Sequence, residues 1–174
     1  MKRAHKTTNN PKMRSWIFRT INGLIWGNYE LNKFGHKDDI MCQYCNKQII
    51  QTKSHLLGEC EEIDKLWDLI YKKFKDLFPN KLTEIERRVG VSRLHQPTET
   101  STNTVIFNTI KCIFDNNNKD EKLSIHKIIN KLMNIEKTEY SIAESNDKVE
   151  LHLNKWMIIK TCLKNEYAKQ ATDK

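Results

Sequence analysis

Four side chains hold the most specific chemistry in the chain. Cys42 and Cys45 are separated by Gln43 and Tyr44, His55 follows after nine residues and Cys60 after four more, giving C-x2-C-x9-H-x4-C. A two-residue spacer lets both thiolates of a tight turn face one metal ion while backbone amides donate to the sulfurs. Three thiolates and an imidazole then complete a tetrahedral set for one Zn2+. That set leaves no position for water, so the expected zinc is structural rather than catalytic. On an unbroken α-helix Cys60 would point about 140° away from His55, and Gly58 is expected to supply the break that turns both inward. Lys47, Lys53 and Lys65 lie close in sequence and favour thiolate over thiol. His36 is the one substitute ligand the sequence offers. Cys112 and Cys162 fall in apolar helical stripes and read as core residues.

The elements that must position these ligands are helical. Ile17, Ile21, Leu24 and Ile25 share a stripe over 16–25, weakened by Gly23 and ended by Gly27-Asn28. Residues 29–41 read as a loop through Phe34, Gly35 and Asp38-Asp39. The clearest helix carries Ile63, Leu66, Trp67, Ile70, Phe74 and Phe78, with Glu61 and Glu62 at its positive end and Pro79 as its stop. Residues 88–103, rich in Thr, Ser and Gln, read as a linker. Beyond it come stripes at Val105, Ile106, Ile110, Ile113 and Phe114, at Ile125, Ile128, Ile129, Leu132 and Met133, and at Val149, Leu153, Trp156, Ile159 and Leu163. The predicted fold class is all-α, with a zinc knuckle inserted between helices. The predicted organisation is a basic flexible arm over 1–14, a helix–knuckle–helix module over 15–87, the linker, and a helical segment over 104–168.

Composition narrows the partner. The 174 residues include only five glycines and three prolines, as a helical chain requires, and the net charge is +8. Residues 1–41 hold eight Lys/Arg against three acids, so the basic excess sits before the knuckle. This leans toward an anionic partner, RNA or DNA. Lys2, Arg3, Lys6, Lys12, Arg14 and Arg19 are the expected phosphate contacts, and Tyr44, between two ligands, is the expected exposed ring for base stacking. Trp16 reads as a core anchor first and a stacking ring second. No run approaches the 18 apolar residues of a membrane span, and residues 1–14 lack an apolar signal core. An intracellular protein is therefore expected, in which five reduced cysteines serve metal ligation or burial rather than a disulfide framework.

The segment from Trp16 to Trp67 resembles the zinc-binding region at the C-terminal end of non-LTR (LINE-type) retrotransposon reverse transcriptases. The resemblance rests on the lead Trp16-Ile17-Phe18-Arg19-Thr20-Ile21-Asn22-Gly23-Leu24, then Cys42, Cys45, Thr52, His55-Leu56-Leu57, Cys60 and Trp67 in order. A softer pattern continues through Asn103-Thr104-Val105-Ile106, Ile135-Glu136, Ile142-Ala143 and Lys155-Trp156. It implies a non-catalytic module that binds nucleic acid, and the family's life cycle implies nuclear residence.

Catalysis is not expected. Asp38-Asp39 lacks the aromatic residue two positions ahead that a polymerase aspartate pair carries. A metal-dependent nuclease needs acids beside β-strands, whereas Asp115, Asp120, Glu121 and Lys122 lie in an Asn-rich turn. Two alternatives accompany the nucleic-acid reading: a scaffold whose stripes at Ile63–Phe78 and Val149–Leu163 dock a protein partner, and a transposon relic without function.

Overall fold

The first helix begins where the sequence supplies both a cap and a proline. Asn10 Oδ1 accepts from the amides of Lys12 and Met13, and Pro11, which has no amide to lose, takes the first position of α1 (Pro11–Ile21). In this computed structural model residues 6–45, 47–92, 97–117 and 123–172 are described, with side chains through 164. The remaining helices are α2 (Asn28–Lys33), α3 (Glu61–Lys73), α4 (Glu84–Val89), α5 (Thr98–Asn116), α6 (Ile125–Glu144) and α7 (Val149–Thr172). Among the described residues there is no strand, only an antiparallel bridge between Met41 and Ile50. The fold is all-α.

Helix α1 therefore starts five residues before the expected Trp16 and stops at Ile21, four short of Ile25. Leu24 falls outside it and is exposed, while Ile25 is buried. The expected arm over 1–14 differs more. Its first five residues lie outside the described ones, but Thr7 and Thr8 are buried and Pro11–Arg14 is helix. Composition suggested a flexible arm because it could not show that these polar groups find partners on α6 and α7.

Those partners form a buried charged strap. Lys155 Nζ donates to Thr7 O (2.8 Å) and to Glu139 Oε2 (2.6 Å), Trp156 Nε1 donates to the same carboxylate (2.9 Å), Thr8 Oγ1 donates to Glu139 Oε1, and Asn9 Nδ2 donates to Glu139 O. Burial lowers the Lys155 ammonium, while Glu139 beside it pulls the other way. The strap shifts the inward face of α7: Trp156 and Ile159 are buried as expected, but Leu153 is exposed, and His152 and Lys155 lie inside. Two carboxylates on α6 decide this, with His152 Nε2 3.3 Å from Glu136 Oε1 and Lys160 Nζ donating to the same oxygen.

The expected linker is also largely structured. Arg88 and Val89 end α4, residues 93–96 are outside the described set, and Thr98–Asn103 opens α5. The first turns of α5 are polar and buried together. Ser101 Oγ donates to Lys155 O, Thr102 Oγ1 to Leu77 O and Thr104 Oγ1 to Thr100 O, and Asn103 exchanges two hydrogen bonds with the Val91 backbone. A buried hydroxyl is tolerated when its bond is made. Farther along, Val105, Ile106, Ile110 and Ile113 are fully buried, and α5 packs on both α6 and α7.

Helix α3 is buried along the whole predicted stripe, Ile63, Leu66, Trp67, Ile70, Phe74 and Phe78, although it ends at Lys73 and not at Pro79. A stripe spent on the core cannot dock a partner, so the scaffold alternative loses that face. Arg87 on α4 binds α3 back, donating to Asp64 Oδ1 (2.5 Å) and Leu57 O and lying over the Trp67 ring.

Candidate metal centre and its dock

The knuckle is a short hairpin followed by one unusual helical turn. Cys42 N donates to Ile49 O and Gln51 N to Ile40 O, closing the loop that carries Cys42 and Cys45. The other two ligands bracket a π-helical turn, His55–Glu59: His55 opens it, and Cys60, its C-cap, donates its N–H to His55 O at 2.9 Å. A five-residue register widens the turn and sets His55 and Cys60 on one side of it. The break expected at Gly58 is thus a change of helix type. Gly58 serves packing instead, since a Cβ there would lie 2.8 Å from Glu84 Cγ on α4. Thr52 Oγ1 accepts from His55 N and starts the turn.

All four ligands are buried, and one donor atom from each lies within 4.8 Å of the others. Cys42 Sγ is 3.9 Å from Cys60 Sγ, and Cys45 Sγ is 3.4 Å from His55 Nε2. A tetrahedral ion with sulfur at about 2.3 Å and nitrogen at about 2.0 Å separates its ligands by about 3.8 Å (S···S) and about 3.5 Å (S···N). The cluster fits one such ion. A hydrogen bond from Cys60 brings the Cys42 thiol down to about 4 against the pull of burial, helped by Gln51 Nε2 and the amides of Cys45 and Tyr44. Sharing that proton pushes Cys60 up. His36 is exposed and takes no part, and Cys112 and Cys162 are buried in the helical core.

Gln51 escaped the sequence reading. It is fully buried, donates to Cys42 Sγ at 3.5 Å and accepts from Asn28 N at 3.3 Å, linking the ligand shell to the start of α2. Groups behind a metal's ligands fix their orientation in this way. A buried glutamine within ten residues of a C-x2-C pair is the only sequence trace of it. Gly27 lets α2 come this close: a Cβ there would stand 2.4 Å from Gln51 O.

The spacer between the first two ligands docks the knuckle on the C-terminus of α5. Tyr44 Oη donates to Ile113 O at 2.6 Å, Gln43 Nε2 donates to Asn117 Oδ1 and O, and Lys37 Nζ donates to Asn117 O at 2.9 Å. Asn117 Nδ2 in turn donates to the buried Asn28 Oδ1. Terminal helix carbonyls need donors, and a cation is favoured there. Tyr44 is consequently not the exposed ring expected; it packs against the core, and burial pushes its hydroxyl above the usual range.

Residues 1–67 match the family model described as zinc-binding in reverse transcriptase. The match supports a reverse transcriptase zinc-binding region over these residues. The match ends on Trp67 in α3, so this zinc-binding region takes in α1, α2, the four ligands and most of the helix after them. It names the zinc-binding part of such enzymes and not their catalytic part. No curated protein and no solved structure matches the chain.

The basic residues expected at phosphates scatter around the zinc-binding region. Lys2 and Arg3 lie outside the described residues. Lys6 is exposed at the rim of a cavity of about 540 Å³ beside the strap. Lys12 and Arg19, seven apart, share the exposed face of α1, whereas Arg14 turns back and donates to Asn9 O. Trp16 is half-buried against Phe114, with Lys111 Nζ 5.0 Å above its ring. Asp38 and Asp39 are exposed. Asp115 is held by Lys111 and Lys131 on two helices, and Asp120, Glu121 and Lys122 are outside the described residues. No helix among the described residues is long and apolar enough to cross a membrane.

Proposed function

We propose that the chain is a zinc-stabilised module that binds RNA or DNA chiefly through phosphate contacts. The metal is zinc, one per chain, held by Cys42, Cys45, His55 and Cys60, since a closed Cys3His set is a zinc set. The ion has a structural role and the module is not an enzyme. The observation that carries the nucleic-acid reading is α1: it stands within the matched zinc-binding region, and its solvent face presents Lys12 and Arg19 in a chain of net charge +8. Phosphate contact of this kind is electrostatic and reads sequence weakly. Its place is inside the cell, in the nucleus.

Salt titration of binding to single-stranded oligonucleotides tests it. With about four phosphates contacted, log affinity falls against log salt at a slope near −3, at roughly 0.7 per phosphate. Lys12→Gln with Arg19→Gln should remove about half of that slope. Binding that ignores salt favours the second reading, a protein-docking scaffold, for which the exposed Leu151, Leu153 and Met157 of α7 supply an apolar surface.

A further inference from the structure

We propose that the cleft between α1, α2, α6 and the C-terminus of α5 is a base-stacking site for single-stranded nucleic acid, with Trp26, which lines it, and Phe34, paired with Trp26 at its edge, as the platform. The cleft has a volume of about 420 Å³ and is lined by Trp16, Arg19, Trp26, Phe114, Asp115 and Lys131, among others. Trp26 and Phe34 pair with ring centroids 4.9 Å apart and planes inclined at 37°, yet remain 37% and 58% exposed. Two adjacent aromatic rings held open to water are costly unless something flat covers them. A nucleobase does so whatever its identity, because every base has a π-face.

Charge selects the occupant. Two cations line the cleft, Arg19 and Lys131, two more hold its lining residues, Lys111 on Asp115 and Lys37 on Asn117 O, and Asp115 is the carboxylate in that lining. Lys111 and Lys131 both hold Asp115, whose carboxyl stays below the usual range despite its burial. One negative charge cannot neutralise two lysines, so a positive excess remains at the rim. Arg19 has no carboxylate partner among the described residues; its Nε donates to Leu24 O. Stacking rings rimmed by cations suit a phosphodiester strand whose bases are unpaired. A duplex keeps its bases stacked inside and offers this cleft only phosphates.

The inference rests on the nucleic-acid reading above but assigns base stacking to Trp26 and Phe34, which the phosphate reading does not use, so the two can fail separately. The test compares wild type, Trp26→Ala and Phe34→Ala on poly-dT, poly-U and a mixed-sequence DNA duplex, with zinc content and far-UV dichroism as folding controls. Expected is a roughly tenfold loss of single-strand affinity in each variant, from about 1–3 kcal/mol per stacked base. The salt slope and duplex affinity should be unchanged. Arg19→Gln should do the reverse, lowering the slope by about 0.7. Phe34 is too exposed for its removal to unfold the chain, and a Trp26→Phe variant should recover most of the binding. The dT and U arms show whether the strand is DNA, RNA or both. Wild-type binding with unchanged affinity in both alanine variants overturns the cleft and leaves the phosphate reading standing. Absence of any wild-type binding overturns both.

Discussion

The knuckle and the helical unit of α5, α6 and α7 are held together by opposite means. Between Cys42 and Cys60 the buried apolar side chains are few, Leu56 and Leu57, and the segment's order depends on four ligands, one bridge and one π turn. The helical unit has a continuous apolar core, from Val105 to Ile113 on α5 to Trp156 and Ile159 on α7, with a charged strap along one side. A short segment that cannot bury enough surface is stabilised by a metal; a long one can carry charge inside because apolar burial offsets the cost.

The sharpest way to break this contrast is to remove the metal. Cys60→Ser, or chelation of the wild type, should abolish the one equivalent of zinc, a loss on the order of 10 kcal/mol of binding free energy. Amide protection at Cys42, Gln51 and Cys60 should vanish while most far-UV helicity survives. Loss of all helicity would show that the core the two regions share cannot stand without the metal.

Next in size is the strap. Lys155→Met leaves the Glu139 carboxylate buried and without its cation, costing about 3–5 kcal/mol. At 2–4 °C per kcal/mol, the melting temperature should drop by about 10 °C, with zinc content unchanged. A drop in zinc would mean that the strap supports the knuckle.

The dock between the regions is weaker. Tyr44→Phe deletes one hydrogen bond to Ile113 O and should cost about 1 kcal/mol, measured by urea unfolding, with full zinc retained.

The smallest effect is an acid one. Burial raises the Glu136 carboxyl, but Lys160 and His152 outweigh it, so the folded value lies below the ordinary 4.5. The unfolded chain therefore takes up this proton first. The stabilisation is complete above 4.5 and is lost as pH falls below it. Glu136→Gln should flatten that part of the stability profile, and an unchanged profile would exclude Glu136 as its source.

What was legible in the sequence follows from what each element uses to hold itself. The clustering of Cys42, Cys45, His55 and Cys60 was readable because a closed metal site demands particular residue types at close spacing. The α3 stripe was readable because all six of its residues are buried in the core. The opening of α5 was not: Thr100 to Asn103 resembles a linker until Leu77 O, Lys155 O and the Val91 backbone, distant in sequence, appear as partners. Periodicity likewise placed Leu153 inside α7 because it assigns no weight to a lysine facing Glu139. Tyr44 was misjudged because the carbonyl that receives its hydroxyl belongs to a helix 69 positions away.

The strap also bears on how long the folded state lasts. Its bonds join residues 131 and 148 positions apart, whereas Cys42 and Cys60 are separated by 18. Closing the longer span is three doublings more expensive, about 2 kcal/mol at roughly 0.6 per doubling. Contacts of that span are expected to form late, after the helices have packed and on the native side of the folding barrier. A bond made on the native side of the barrier does not speed folding; it slows escape. Thr7, Thr8 and Lys155 are thus expected to work as a latch, so that Lys155→Met speeds unfolding more than it slows folding.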